Sequence, residues 1–227
     1  MKRLIACVAL LLMTACSQGG ELKASPSAAP KIAEDFQLID QNRAAFQLRY
    51  FEDAPAILLV SYAAGEKVSE GSAKAVAALQ AEYGAKGVVF ALIDATPGAT
   101  YESVAKEAKA GGFSNVRVLL DETQLASETL GVSRTGEAYV IDPRIWSIVY
   151  RGPVDDRFTT STPGATARRQ PVRDALDTLI AGKLLAPASY ETGGVGITYP
   201  PHVAATYTGD IAPILRTKCI SCHTEGG

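Results

Sequence analysis

Near the end of the chain, Cys219-Ile-Ser-Cys222-His223 has the spacing that covalent haem attachment requires. Thiols three positions apart can each add to one haem vinyl group, and the adjoining imidazole then reaches the iron as its proximal ligand. Two other chemistries suit the same residues. Cys219 and Cys222 can form a redox dithiol or disulfide, or bind zinc with His223, although zinc needs further ligands and His202 is the one other histidine. The methionines, Met1 and Met13, both stand at the opposite end, so the sixth haem ligand stays open, with His202 a candidate if the haem domain is not continued beyond these residues.

The other terminus bears on this chemistry. Lys2 and Arg3 precede an apolar run from Leu4 to Met13 and small residues leading to Cys16. The run is too short to cross a bilayer, which takes roughly 20 residues, and has the form of an export signal. Met13-Thr14-Ala15-Cys16 resembles a bacterial lipobox, with Met13 where leucine is usual; the resemblance implies cleavage before Cys16 and lipidation of its thiol. Residues 1–16 are thus expected to be a lipoprotein signal peptide. Residues 17–33, rich in Ser, Gly, Ala and Pro, are expected to be a flexible tether that holds the folded body on the periplasmic side of a bacterial membrane. Haem attachment takes place on that side. Cys7 leaves with the signal and Cys16 carries lipid, so the mature body keeps only Cys219 and Cys222 and has no disulfide elsewhere.

Composition sets the frame for the elements that must carry these residues. The chain has 227 residues, 47% hydrophobic and 20% charged, enough for a packed core. Its 22 basic and 24 acidic side chains are spread evenly, with none of the basic clustering that nucleic-acid binding needs. Two alternating runs around Asp40-Gln-Asn-Arg43 predict a hairpin. Ala56 to Tyr62 and Gly87 to Asp94 predict buried strands. Val76, Leu79 and Tyr83 share one face of a helix over 69–83, and Tyr101, Val104, Ala105 and Ala108 share one face of a second. A strand over 116–121, a short helix over 123–132, strands over 138–142 and 147–152 and a helix over 168–183 complete the body. The alternation predicts an α/β sandwich with a mixed central sheet.

The order of elements, together with the stretch from Leu119 to Phe158 and above all "LGVSRTGEAYVID" and "VYRGPVDDR", resembles thioredoxin-like redoxins of the alkyl hydroperoxide reductase and thiol-specific antioxidant type. The resemblance covers residues 34–185 and implies a nucleophilic cysteine in the loop after the first central strand, where a helix N-terminus lowers the thiol pKa. This loop reads "SYAAGEKVSEGSAKAV", with Gly65-Glu66-Lys67 where relatives carry glycine, cysteine and proline. Gly136 stands where a cis-proline is usual, and Val195 where some relatives have a second cysteine. Glu66 cannot act as a thiolate. Three other features carry no catalytic assignment: Glu66 with Lys67 as a solvated loop or a partner or ligand contact, Asp155, Asp156 and Arg157 as a turn cluster or a metal or partner site, and Trp146 as a packing or edge aromatic.

Residues 186–208 are expected to be a linker or extended strap, and Asp210 to cap a short helix with Pro213 in its first turn. "DIAPIL" followed by the haem motif resembles the opening of a monohaem cytochrome c domain, which in some exported proteins follows a redoxin-like domain and precedes a copper-dependent monooxygenase domain. Residues 209–227 are accordingly expected to be the N-terminal part of a c-type cytochrome domain, cut short within a longer protein. The expected function is electron transfer through haem c held by Cys219, Cys222 and His223, with the thiol-free redoxin body as a structural or docking module and a redox partner protein or missing downstream domain as its counterpart. No enzymatic activity is assigned to the chain alone, since the nucleophilic cysteine that the resemblance implies is absent. A thiol-dependent peroxidase or thiol-disulfide oxidoreductase, and a non-catalytic binding scaffold, are the alternatives.

Overall fold

The structure, a computed structural model, describes residues 21–25, 31–201 and 205–220. It separates into two compact units, residues 1–197 and 198–227.

The first unit is built on β4 (Ile57–Tyr62), in which all six residues are buried. Leu58, Val60 and Tyr62 enter one core, Ile57 and Leu59 the other. A strand apolar on both faces is stable only in the middle of a covered sheet. It lies between β5 (Val89–Asp94), to which it is parallel, and β7 (Glu137–Asp142), to which it is antiparallel. β6 (Arg117–Leu120) runs parallel to β5, and the hairpin β2 (Gln37–Asp40) and β3 (Ala45–Gln47) continues the sheet antiparallel on that side. On the other side β8 (Ser147–Pro153) pairs with β7, and β1 (Lys31–Ile32) and β9 (Ala188–Ser189) both pair with β8. The mixed α/β sandwich is as expected.

α1 (Lys67–Tyr83), α2 (Tyr101–Gly111) and α4 (Pro171–Ile180) cover one face through Val76, Val104 and Leu176, while α3 (Leu125–Leu130) covers the other through Leu130, beside Phe46 and Tyr139. The apolar faces read from the sequence are the buried ones in each long helix. α2 begins with a reciprocal cap, the Ser103 amide donating to Thr100 Oγ1 and the Thr100 amide to Ser103 Oγ.

The unit reaches further at both ends than the boundaries of 34 and 185. The backbone of Lys23 to Ser25 is hydrogen-bonded to Ser189 and Glu191, and Lys31 and Ile32 pair with β8, so these parts of the expected tether belong to the sheet edge. Residues 188–197 likewise lie on the body: Ala188 and Ser189 pair with β8, Gly196 with Arg134, and the Ile197 amide donates to Ser133 O. The strap is held because its amides and carbonyls complete ladders that the edge strand leaves open.

In the second unit the helical segment starts at Tyr207, not at Asp210. Thr206 is the cap, its Oγ1 accepting from the Gly209 amide, while Asp210 reaches back to the Thr206 amide at 2.7 Å and hydroxyl at 3.0 Å. Those bonds hold the Asp210 carboxyl below the usual carboxylate range. Pro213 therefore lies beyond the first turn and supplies no amide, and Tyr207–Ile211 and Leu215–Cys219 flank it as wider helical turns around Ala212–Ile214. Ile211, Ile214, Leu215 and Ile220 are exposed.

Candidate functional site

Glu66 is the N-cap of α1. Its Oε1 accepts from the Val68 amide at 3.0 Å and its Oε2 from the Ser69 amide at 2.7 Å. A carboxylate here offsets both the unpaired amides and the positive end of the helix. The preceding loop is wrapped onto the same turn, with the Ala63 amide donating to Ser69 Oγ and the Gly65 amide to Glu70 Oε1. Glu66 is thus a structural cap, where the choice from sequence lay between a solvated loop and a partner contact.

The three positions at which the redoxin pattern is broken meet around this cap. Thr135, next to Gly136, donates its hydroxyl to Glu66 Oε2 at 3.0 Å. The Val195 amide donates to the same Thr135 Oγ1 at 2.9 Å, and the Thr135 amide to Val195 O. A line of bonds thereby runs from the strap, through Thr135, to the helix end. Gly136 takes φ +71°, and a Cβ there would stand 2.9 Å from Val68 Cγ1 and 3.1 Å from Ser72 Oγ. No described peptide bond is cis, and the close approach to α1 at this point is made by a left-handed glycine. Gly194 is needed for a different reason: a Cβ on it would run into Thr135 O. Thr135 carries no sequence signal of its own; its role depends on the strap and α1 arriving together.

Beside the cap lies a cleft of about 240 Å³ bordered by Tyr62, Gly65, Glu70, Glu107 and Phe113. Asp94, at the C-terminal end of β5, is 2% exposed, and burial raises its carboxyl pKa. Burial, then the charges of Asp94 and Glu70, raises that of Glu107. Burial, with Glu107, Asp94 and Glu70, pushes the Tyr62 phenol up. Acids whose protons are held more tightly than usual can exchange protons nearer neutral pH, but among the described residues they form no group of three metal-ligating side chains.

Asp155, Asp156 and Arg157 form a hydrogen-bonded turn. Asp155 Oδ1 accepts from the Arg157 amide, its Oδ2 pairs with the Arg157 guanidinium at 2.6 Å, and Asp156 Oδ1 accepts from the Arg168 amide. These bonds make it the turn cluster expected from the sequence, and it belongs to no described group of three metal-ligating side chains. Trp146 takes φ +51° at the β7–β8 turn and packs under the Arg49 guanidinium, 4.0 Å from the ring centre.

Cys219 is half-buried at the end of the second unit's helical segment. Cys222 and His223, like Cys16 and His202, lie outside the described residues. The donor set suits haem c: a thiol at a helical turn, a second one three residues on, an imidazole after it, and exposed isoleucine and leucine side chains on the approaching helix, of the kind that wall a haem face.

No family model matches the chain, and no curated protein matches it. Among solved structures, a hypothetical protein of Sinorhizobium meliloti 1021 is similar over 80% of this chain and all of its own, with 23% identity and a TM-score of 0.65. An uncharacterized conserved protein of Geobacillus kaustophilus is similar over 82% of this chain and all of its own, at 23% identity and TM-score 0.64. Peroxidoxin BcpB of Mycobacterium tuberculosis matches 72% of this chain over its full length, at 19% identity and TM-score 0.50. Together with the sheet order and helix placement, these likenesses define the first unit as a thioredoxin-like fold.

Proposed function

We propose that the thioredoxin-like unit is a thiol-free structural or docking module in an exported, lipid-anchored protein, and that electron transfer through haem c at Cys219, Cys222 and His223 is the redox activity of the chain. The observation that carries this reading is Glu66. The place of the fold's nucleophile holds a carboxylate that is committed to the Val68 and Ser69 amides and to Thr135, and residues 17–218 contain no cysteine. A carboxylate does not take up and release electrons as a thiolate does. The haem, when bound, supplies that one-electron step. Cys219 and Cys222 hold it by thioethers and His223 ligates its iron, while Cys16 carries the lipid that keeps the protein at the periplasmic face of the membrane.

The test is the absorption spectrum and intact mass of the full chain expressed with haem-maturation machinery. A Soret band that survives denaturation, with one haem mass added, supports the reading. A haem-free mass leaves the protein without its redox centre and ends it.

The likeness to a peroxidoxin favours a second reading, a redoxin-type thiol oxidoreductase in which the C-terminal pair is the only available dithiol. Peroxide reduction by haem-free protein that disappears in Cys219→Ser/Cys222→Ser would establish it.

A further inference from the structure

A second cleft, of about 450 Å³, opens where residues 188–197 cross the loop before β7, and it belongs to no part of the function proposed above. Its chemistry is polar, and its buried carboxylate is already spent. Glu137 Oε1 accepts from Arg151 Nε at 2.7 Å, and Oε2 accepts from the Ser133 amide at 3.0 Å, Ser133 Oγ at 3.2 Å and the Tyr139 hydroxyl at 2.6 Å. Arg151 also donates to Ser133 Oγ at 2.9 Å. That leaves Glu137 no capacity to accept from a ligand.

Donors, by contrast, are in surplus. Arg134 uses one nitrogen on Gly194 O at 2.8 Å and pairs with no carboxylate among the described residues. Glu191, on the rim, is paired with Lys23, so the positive charge of Arg134 stands uncompensated. Thr192, 5% exposed, is part of the lining, and its buried Oγ1 has no partner among the described residues. A buried hydroxyl without a partner destabilises the fold, and a ligand that pairs with it removes that cost. The volume is far larger than a bare inorganic anion fills and lies in the range of small-molecule sites.

We infer that this cleft binds a small polyhydroxylated organic anion, a sugar acid or sugar phosphate, whose oxyanion is held by Arg134 and whose hydroxyls pair with Thr192. Guanidinium groups match carboxylate and phosphate oxygens with parallel bonds, and the Ser/Thr wall offers both donors and acceptors to a polyol.

Calorimetric titration of the full chain with gluconate, with glucose 6-phosphate and with uncharged sorbitol tests this. One or both anions bind and sorbitol does not; the tighter anion identifies the headgroup as carboxylate or phosphate. Thr192→Val weakens that anion at least about tenfold, within the range for loss of a buried hydrogen bond, and melts at or above the wild type because its unpartnered hydroxyl is gone. Arg134→Gln, which keeps a donor for Gly194 O, reduces the anion to the level of sorbitol. The inference is overturned by equal binding of sorbitol, by unchanged affinity in Thr192→Val, by a Thr192→Val that melts well below wild type, or by no binding of either anion up to about 10 mM, the weak end of millimolar affinity.

Discussion

Thr135 Oγ1 and Glu66 Oε2 lie 3.0 Å apart across 69 residues of sequence, and this bond ties the start of α1 to the entry of β7. The same carboxylate caps the helix, so its removal is felt in two elements at once. Glu66→Ala is expected to lower stability by about 1–2 kcal/mol, the upper part of the range for loss of an N-cap. Urea denaturation of the wild type and variant measures it. Glu66→Gln keeps one acceptor oxygen and loses less; equal losses in the two variants would show that the bonds to the amides are not what the carboxylate contributes.

Putting sulfur in that place probes the field that Glu66 now satisfies. A thiol in Glu66→Cys lies at a helix N-terminus, where the thiolate is favoured, and its pKa is expected below the free value of about 8.5. The pH profile of its alkylation rate by iodoacetamide, in a Cys219→Ser/Cys222→Ser background, gives the midpoint. A midpoint at or above the free value would mean that the helix end does not act on position 66.

Gly136 combines a left-handed backbone with a tight approach to Val68 and Ser72. Gly136→Ala meets both obstacles and is expected to cost about 2–4 kcal/mol, the sum of a strained φ and overpacking. Thermal unfolding checks this. A variant within error of the wild type would mean that the loop shifts freely and that the close contact with α1 is dispensable.

Asp94 gives a pH signature. Burial raises its folded pKa above the unfolded value, so the folded state binds the proton more tightly. Its contribution is fully favourable below the unfolded pKa and is lost as pH rises through the folded one. Asp94→Asn keeps an acceptor for the Thr96 amide, which Asp94 Oδ1 now serves at 2.9 Å, and carries no charge. The variant is expected to be more stable than the wild type at neutral pH, with the difference shrinking as the wild-type carboxyl is protonated in acid. Melting curves over a pH series follow the difference; a gap that widens toward acid would contradict the assignment.

Haem attachment depends on both thiols. Cys219→Ser/Cys222→Ser, expressed with haem-maturation machinery, is expected to show no covalent haem by denaturing-gel peroxidase stain, while the thioredoxin-like unit melts as in the wild type. Undiminished stain in the double variant would place the attachment elsewhere.

The sheet and the long helices were legible because their apolar residues repeat at the strand or helix period: β4 is buried along its whole length, and Val76, Leu79 and Tyr83 all turn inward. The loss of the thiol position was legible too, since a missing cysteine is a fact of composition. What was not legible depends on long-range contact. Glu66 looks solvated until Thr135 and the α1 amides are seen around it. Residues 188–197, with three glycines and no helical period, look like a linker until the open edge of β8 is there to receive them. The cap is Thr206 in place of Asp210 because an acidic side chain three or four residues into a helix can bond back to the cap and be taken for it.

β8 would be the last full strand of the sheet, yet its outer side is taken by β1 and β9, and at the far margin β3 is only three residues long. An open strand edge is a template on which other chains polymerise, and short or covered edges are how β proteins escape that fate. The strap and the N-terminal strand therefore act as a guard against strand-to-strand aggregation: a protein trimmed of residues 21–32 would keep its core, Ala33 included, but expose a sticky seam, and its solubility would fall before its stability did.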